Sequence, residues 1–291
     1  MCIRDSSGVE INKQSANASK VLGRVLNALA NDYDMKLSTL SGGLKDNAIP
    51  TDAEAVVIFS DTDMSDINTP DHADISSNSV HSSLQDLISK WNQIIRHEYT
   101  HTDPDICITL EPVDLPAATM TDTSTHTVID VLMAYPNGVR KMSKDIAGLV
   151  QTSLNLGILS TIKPDDPSTN GMVSFKSSVR SSIGSEKAAL LYSLKSLATL
   201  AGGTLTVTGD YPAWEYREDS PLRDLMVKIF KQQYGKEPVI QALHAGVECG
   251  IFASKLPGLD CVSFGPDMDD IHTTNESMNC LLYTSDAADD L

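Results

Sequence analysis

Cysteine is scarce and unpatterned in this chain: five among 291 residues, at positions 2, 107, 249, 261 and 280, with no CxxC spacing. An odd, sparse set argues against a disulfide framework and fits a reducing compartment. Basic side chains are also short, 22 against 39 acidic ones, for a formal net charge of −17. Such a surface repels phosphate backbones, so nucleic acid is not an expected partner. No apolar run approaches the roughly 18 residues that a membrane-spanning helix needs, so no membrane association is expected. No HExxH motif is present. What remains, with 41% hydrophobic and 21% charged residues, is the composition of a soluble globular protein. Its length suits one large domain or two ordinary ones.

The two ends read differently from the rest. "MCIRDS" (1–6) and "CLLYTSDAADDL" (280–291) look like translated sequencing-adapter scars and are excluded from the fold reading. The native segment is then expected to run from Ser7 to Asn279, without Cys2 and Cys280 and with both natural termini missing.

Apolar periodicity supplies the elements. "ASKVLGRVLNALAND" aligns Ala18, Val21, Leu22, Val25, Leu26 and Leu29 on one helical face, and "MKLSTLSGG" and "NAIPTDAEAVVIFS" read as strands. Residues 61–80, acidic and poor in large apolar side chains, read as an exposed loop. A helix is expected after a capping box of Ser82 and Gln85, with Leu84, Leu87, Ile88, Trp91, Ile94 and Ile95 on its face. "DICITLEPV" reads as a strand, "PAATMTDTST" as a loop, and "HTVIDVLMAYPNGVRKMS" as a helix ending at Pro-Asn-Gly. Two strands, "VQTSLNLGILSTIKP" and "GMVSFKSSVRSS", precede a helix opening at Ser185 and a strand "TLTVTGD". Residues 7–208 thus predict an α+β, ferredoxin-like domain on a mainly antiparallel sheet. Beyond about residue 209 the pattern changes to α/β. A helix with Ser220 at its N-cap, Pro221 at N1 and Gly235 past its end is followed by the strand "EPVIQAL", the loop "HAGVECG", the helix "GIFASKL" and the strand "CVSFGP".

Few side chains suggest chemistry. His272, in "FGPDMDDIHTTNE", suits a metal, but no evident cluster supplies the other ligands that a zinc site needs, and a solvated loop histidine is the plain alternative. "HAGVECG" places His244, Glu248 and Cys249 among glycines, which invites a thiol-protease reading, yet no third orienting group is apparent. Gly246 and Gly250 would let the backbone approach a ligand. Arg180 and Asn47 together could hold a small carboxylate, but on pattern alone an ordinary surface arginine and a turn asparagine are the favoured reading.

Taken in order, "SGVEI…NASKVLGRVL", "GGLKDNAIP", "YPNGV…VQTSLNLGIL", "SSVRSS", "GDYPAWEY", "LHAGVECGIF" and "VSFGPDMDDIHTTNE" resemble the Xaa-His dipeptidases, also called aminoacyl-histidine or cytosol nonspecific dipeptidases. These are co-catalytic zinc metallopeptidases, with a catalytic α/β domain interrupted by a lid that usually dimerises. The resemblance implies that residues 7–208 are the lid and 209–279 the C-terminal part of the catalytic domain.

It further implies that His272 is a zinc ligand, that Asn47 and Arg180 bind the terminal carboxylate of a dipeptide, and that "HAGVECG", with His244, Gly246 and Glu248, borders the substrate. The tail reads "HTTNE" where the family usually has "HSPDE", which leaves the surroundings of His272 open. The remaining metal ligands, the glutamate general base and the histidine of a "GGHSG" motif would precede Ser7, so no catalytic residue is assigned here. In such enzymes two zinc ions activate a water that attacks the peptide bond. The expectations are a cytoplasmic, homodimeric zinc dipeptidase as parent and an inactive fragment as this chain. An aminoacylase or tripeptidase of the same family is an alternative, as is a non-catalytic dimerisation module.

Overall fold

In a computed structural model of the chain, the described residues are Ser7, 10–60, 76–164, 170–240, 248–265, 268–269 and 277–278; for 76–81 and 268–269 only the backbone is described. They form two compact units that divide between Thr208 and Gly209.

The larger unit opens, after a 3-10 turn at Ile11–Lys13, with α1 (Ala18–Asp32). Its N-cap, Asn17, accepts a hydrogen bond from the Lys20 N–H, and Val21, Val25, Leu26 and Leu29 turn inward as their spacing predicts. β1 (Met35–Gly42) and β2 (Ala53–Phe59) then pair antiparallel. Helices α2 (Ser76–Glu98) and α3 (Asp122–Ala134) precede β3 (Gly138–Met142), β4 (Val150–Ile162), β5 (Met172–Ser181) and α4 (Gly184–Leu200). β4 is the central strand. β5 runs antiparallel along one of its edges, while β1 meets the other edge at Leu159 and Ser160, and β3 meets it from Val150 to Leu154.

One core joins this sheet to its helices. Leu26 and Leu29 of α1, Leu37 and Leu40 of β1, Leu84 and Ile88 of α2, Ile129 and Leu132 of α3, Leu154, Leu156 and Leu159 of β4, and Leu190 and Leu194 of α4 are all buried in it. Each such side chain contributes about 1.5–3 kcal/mol on leaving water. The α+β class with a mainly antiparallel sheet is therefore as the periodicity predicts.

Several boundaries differ. α2 starts at Ser76, so the expected loop ends at least five residues sooner, and Ser82 lies inside the helix rather than capping it. No Gly or Pro between 76 and 82 stops the turn, and the serines tolerate it. α3 begins at Asp122, where Thr121 accepts from the Ser124 N–H at 3.1 Å. α4 has Ile183, not Ser185, in the N-cap position. β3 was not foreseen.

"DICITLEPV" is not a strand; it lies along α2, which satisfies its backbone with side chains. The Asn92 carboxamide both accepts from the Ile108 N–H and donates to the Ile108 carbonyl, each at 2.8 Å. Arg96 donates to the Ile106 carbonyl. "TLTVTGD" is likewise irregular over 203–208: with no neighbouring strand among the described residues, its alternation has no ladder to join there.

The smaller unit carries α5 (Pro221–Tyr234) and α6 (Glu248–Lys255). The punctuation of α5 is as expected: Ser220 caps it, Pro221 opens it, and Gly235, at φ 68°, closes it in the left-handed conformation. The Asp260 carboxylate reinforces the cap, accepting from the Ser220 hydroxyl at 2.7 Å and the Leu222 N–H at 2.9 Å. The expected parallel sheet is not found among the described residues. Residues 237–240 and 261–265 are irregular, and the only strand pair described here is the antiparallel β6 (Met268–Asp269) and β7 (Ser277–Met278).

Candidate functional site

The notable feature of the larger unit is a break along β4. Between the stretches paired with β3 and β1, residues 155–158 have no strand on that edge. Side-chain amides replace the missing ladder. The Leu156 N–H donates to Asn137 Oδ1 and the Leu156 carbonyl accepts from Asn17 Nδ2, both at 2.9 Å. A buried backbone group left unpaired would cost about 1–3 kcal/mol, which these asparagines prevent.

The loop after β1 is seated at this break. The Asn155 Nδ2 group donates to the carbonyls of Asp46 (3.1 Å) and Ala48 (2.8 Å), while Asn155 itself is only 1% exposed. Asn47 sits between those two carbonyls with its own side chain toward solvent, and its carbonyl accepts from the N–H and hydroxyl of Ser7, both at 3.0 Å. Two glycines make the approach feasible. A Cβ on Gly157 would lie 2.5 Å from the Asp46 Cα, and one on Gly43, which has φ +68°, would lie 2.0 Å from the Gly157 carbonyl oxygen.

Arg180 reaches the same side of the sheet. It pairs with Ser153 across the β4–β5 ladder, two residues from the Asn155–Ser178 pair, and alternate residues of a strand face one way. The intervening Val179, with Phe175 and Val173, packs on the core, which places Ser174, Lys176, Ser178 and Arg180 on the opposite face. Lys176 Nζ lies 3.4 Å from the Asp46 carboxylate, tying the loop to that face. The Arg180 Nε–H is buried and has no hydrogen-bond partner among the described residues. An orphaned guanidinium donor is what a planar carboxylate would satisfy.

Of the other expected site residues only Glu248 lies among the described residues. Glu248 is exposed at the start of α6. His244, Gly246 and His272 lie outside the described residues. A Cβ on Gly250 would meet the Pro212 carbonyl oxygen at 2.8 Å, so its smallness serves packing within the unit. Burial, then the neighbouring Cys261 and Glu248, push the Cys249 thiol up from its ordinary value, which disfavours the thiolate that a nucleophile requires. Among the described residues no group of three or more His, Cys, Asp or Glu could hold a metal ion, so they do not by themselves fit a zinc centre. No helix is long and apolar enough to cross a membrane among the described residues.

The class of known protein to which this antiparallel α+β unit and the segment after it are similar is the dipeptidases. In particular, the chain is 32% identical over 273 residues to the cytosol non-specific dipeptidase of Escherichia coli K12, covering 94% of this chain and 51% of that protein. Its structure matches aminoacylhistidine dipeptidase from Vibrio alginolyticus with a TM-score of 0.79 at 30% identity, covering 94% of this chain and 51% of the other. No protein-family model matches the chain. The resemblance to the Xaa-His dipeptidases is thus borne out: the chain is homologous to them over nearly its whole length, and it spans about half the length of the relatives it matches.

The three-asparagine seat was missed from sequence. The signal was present in "SLNLG" and "YPNG", where polar amides interrupt apolar runs, but their meaning depends on strand partners that periodicity does not name.

Proposed function

We propose that this chain is the lid and the C-terminal part of the catalytic domain of a zinc-dependent dipeptidase that cleaves Xaa-His and other dipeptides, working in the cytoplasm as a homodimer formed through the lid. The observation that carries this reading is the pairing of two findings: similarity to a dipeptidase along 94% of the chain, and a polar sheet face on which the buried Arg180 Nε–H has no partner among the described residues. Arg180 and Asn47 bind the free carboxylate of the dipeptide, which favours substrates ending one residue beyond the cleaved bond. A charge-assisted hydrogen bond of this kind contributes about 1.5–3 kcal/mol. His244, Gly246 and Glu248, in "HAGVECG", belong to the substrate-binding set that the family resemblance implies.

His272 supplies one zinc ligand, and the others belong to the half of the relatives' length that this chain does not match. In such peptidases zinc supplies a water of lowered pKa. No step of that chemistry falls to the residues described here; their part is to bind and orient.

The test compares this chain with a polypeptide extended to the relatives' full length, using a panel of Xaa-His dipeptides, other dipeptides, tripeptides and acylamino acids with added zinc. The expected result is dipeptide turnover by the extended protein only, with KM raised by Arg180→Ala. Turnover by the present chain would overturn the placement of the missing ligands. Turnover of tripeptides or acylamino acids alone would overturn the substrate class.

A further inference from the structure

We infer that Asn155 is a positioning residue for the Asn47 loop: its buried carboxamide clamps the backbone on both sides of Asn47 and so sets that amide over the sheet face that carries Arg180. The inference rests on the reading of Asn47 and Arg180 as holders of the substrate carboxylate, and extends it to a group that touches no substrate.

The division of labour among the three asparagines carries the argument. Filling the gap beside β4 requires one donor and one acceptor at Leu156, and Asn17 and Asn137 already supply them. Asn155 does neither. Both its N–H groups go to the carbonyls of residues 46 and 48, and its Oδ1 lies 3.4 Å from Asn17 Nδ2, which fixes the amide's orientation. A side chain needed only for packing would not spend both donors on the two residues that bracket Asn47. The loop is held from three further directions: by Ser7 on the Asn47 carbonyl, by Lys176 on Asp46, and by the close seat at Gly157. What these leave free is the Asn47 side chain, which is exposed. Its direction follows from the two carbonyls that Asn155 holds.

The experiment uses the full chain and glycyl-histidine as the probe, with binding followed by calorimetry and backbone exchange by NMR. Asn155→Ala should weaken binding about tenfold, the loss of one buried hydrogen bond's worth of orientation. Asn47→Ala should weaken it by a similar factor, and the double variant by no more than either alone, because both act through the same contact. Amides of residues 46–48 should exchange faster in Asn155→Ala while those of α1 do not change. Should Asn155→Ala fail to fold, Asn155→Asp keeps the shape and removes both donors, and it should show the same loss.

A folded Asn155 variant that binds as the unsubstituted chain does, while Asn47→Ala weakens binding, would overturn the inference and leave the carboxylate reading standing. Additive losses in the double variant would also overturn it. If the unsubstituted chain does not bind the probe, or if Asn47→Ala and Arg180→Ala are both neutral, the carboxylate reading fails and the inference falls with it.

Discussion

Replacing Gly157 by alanine tests how tightly the candidate site is built onto β4. The new Cβ would stand 2.5 Å from the Asp46 Cα and carbonyl oxygen and 2.7 Å from its carbonyl carbon, all backbone atoms that cannot rotate away. Ordinary contact begins near 3.4 Å, so the loop must retreat by about 0.9 Å. A retreat of that size stretches the Asn155 bonds to Asp46 and Ala48, now 3.1 and 2.8 Å, toward or past the hydrogen-bond limit. Overpacking costs about 1–3 kcal/mol, and each weakened buried hydrogen bond adds about 1. The stiffer unfolded chain returns about 0.4–1 kcal/mol. The net expectation is a destabilisation of about 2–4.5 kcal/mol, read as a shift of the urea midpoint at unchanged slope. Arg180-dependent binding of glycyl-histidine should fall with it. A midpoint within error of the unsubstituted chain would refute the seating of the loop on Gly157.

Other substitutions probe separate parts of the fold. Asn92→Leu should release the 106–111 segment from α2, costing about 1–3 kcal/mol for the two backbone groups left unpaired, and should raise amide exchange at Ile108. Leu154→Ala, at a fully buried position under the sheet, should cost about 2–5 kcal/mol by urea denaturation. The Arg24 hydrogen bond holds the Glu98 carboxyl below its ordinary value, so the pair's contribution is present above the unfolded carboxyl's pKa and is lost as pH falls through the folded one. Both partners are partly exposed, so Glu98→Gln should cost only about 0.2–1 kcal/mol at pH 7, and progressively less as pH falls through the folded carboxyl's pKa. Leu225→Gln on α5, at a side chain 52% exposed, should leave stability within about 0.5 kcal/mol.

Where a residue's partners are close in sequence, the sequence told most of the story. The α5 cap, with Ser220, Pro221 and Gly235, is local chemistry and was read to the residue. The buried face of α1 was equally plain, since one period decides it. "DICITLEPV" misled because alternation records only which side chains seek burial; its alternate apolar residues do pack, but against α2 rather than within a sheet. Of the site, Arg180 and Asn47 were picked out as residues, but the reason they share a face was not legible. It depends on the β4–β5 register and on an edge left open by β1 and β3, where the contact of Asn17 with Asn155 spans more than a hundred positions.

The smaller unit makes the same distinction from the other side. Its segments 237–240 and 261–265 have the apolar texture of strands, yet Val239, Ile240 and Phe264 are 85%, 60% and 74% exposed and their backbones join no ladder among the described residues. Strand propensity is a fit to a pleated, half-buried surface rather than an intrinsic backbone preference, so it lapses where no such surface is offered. Helix α5 forms nonetheless, because its hydrogen bonds close within itself and its caps come from Ser220, Asp260 and Gly235. The contrast explains why helices here match expectation while the sheet does not: a helix needs only its own segment, whereas a strand needs a neighbour.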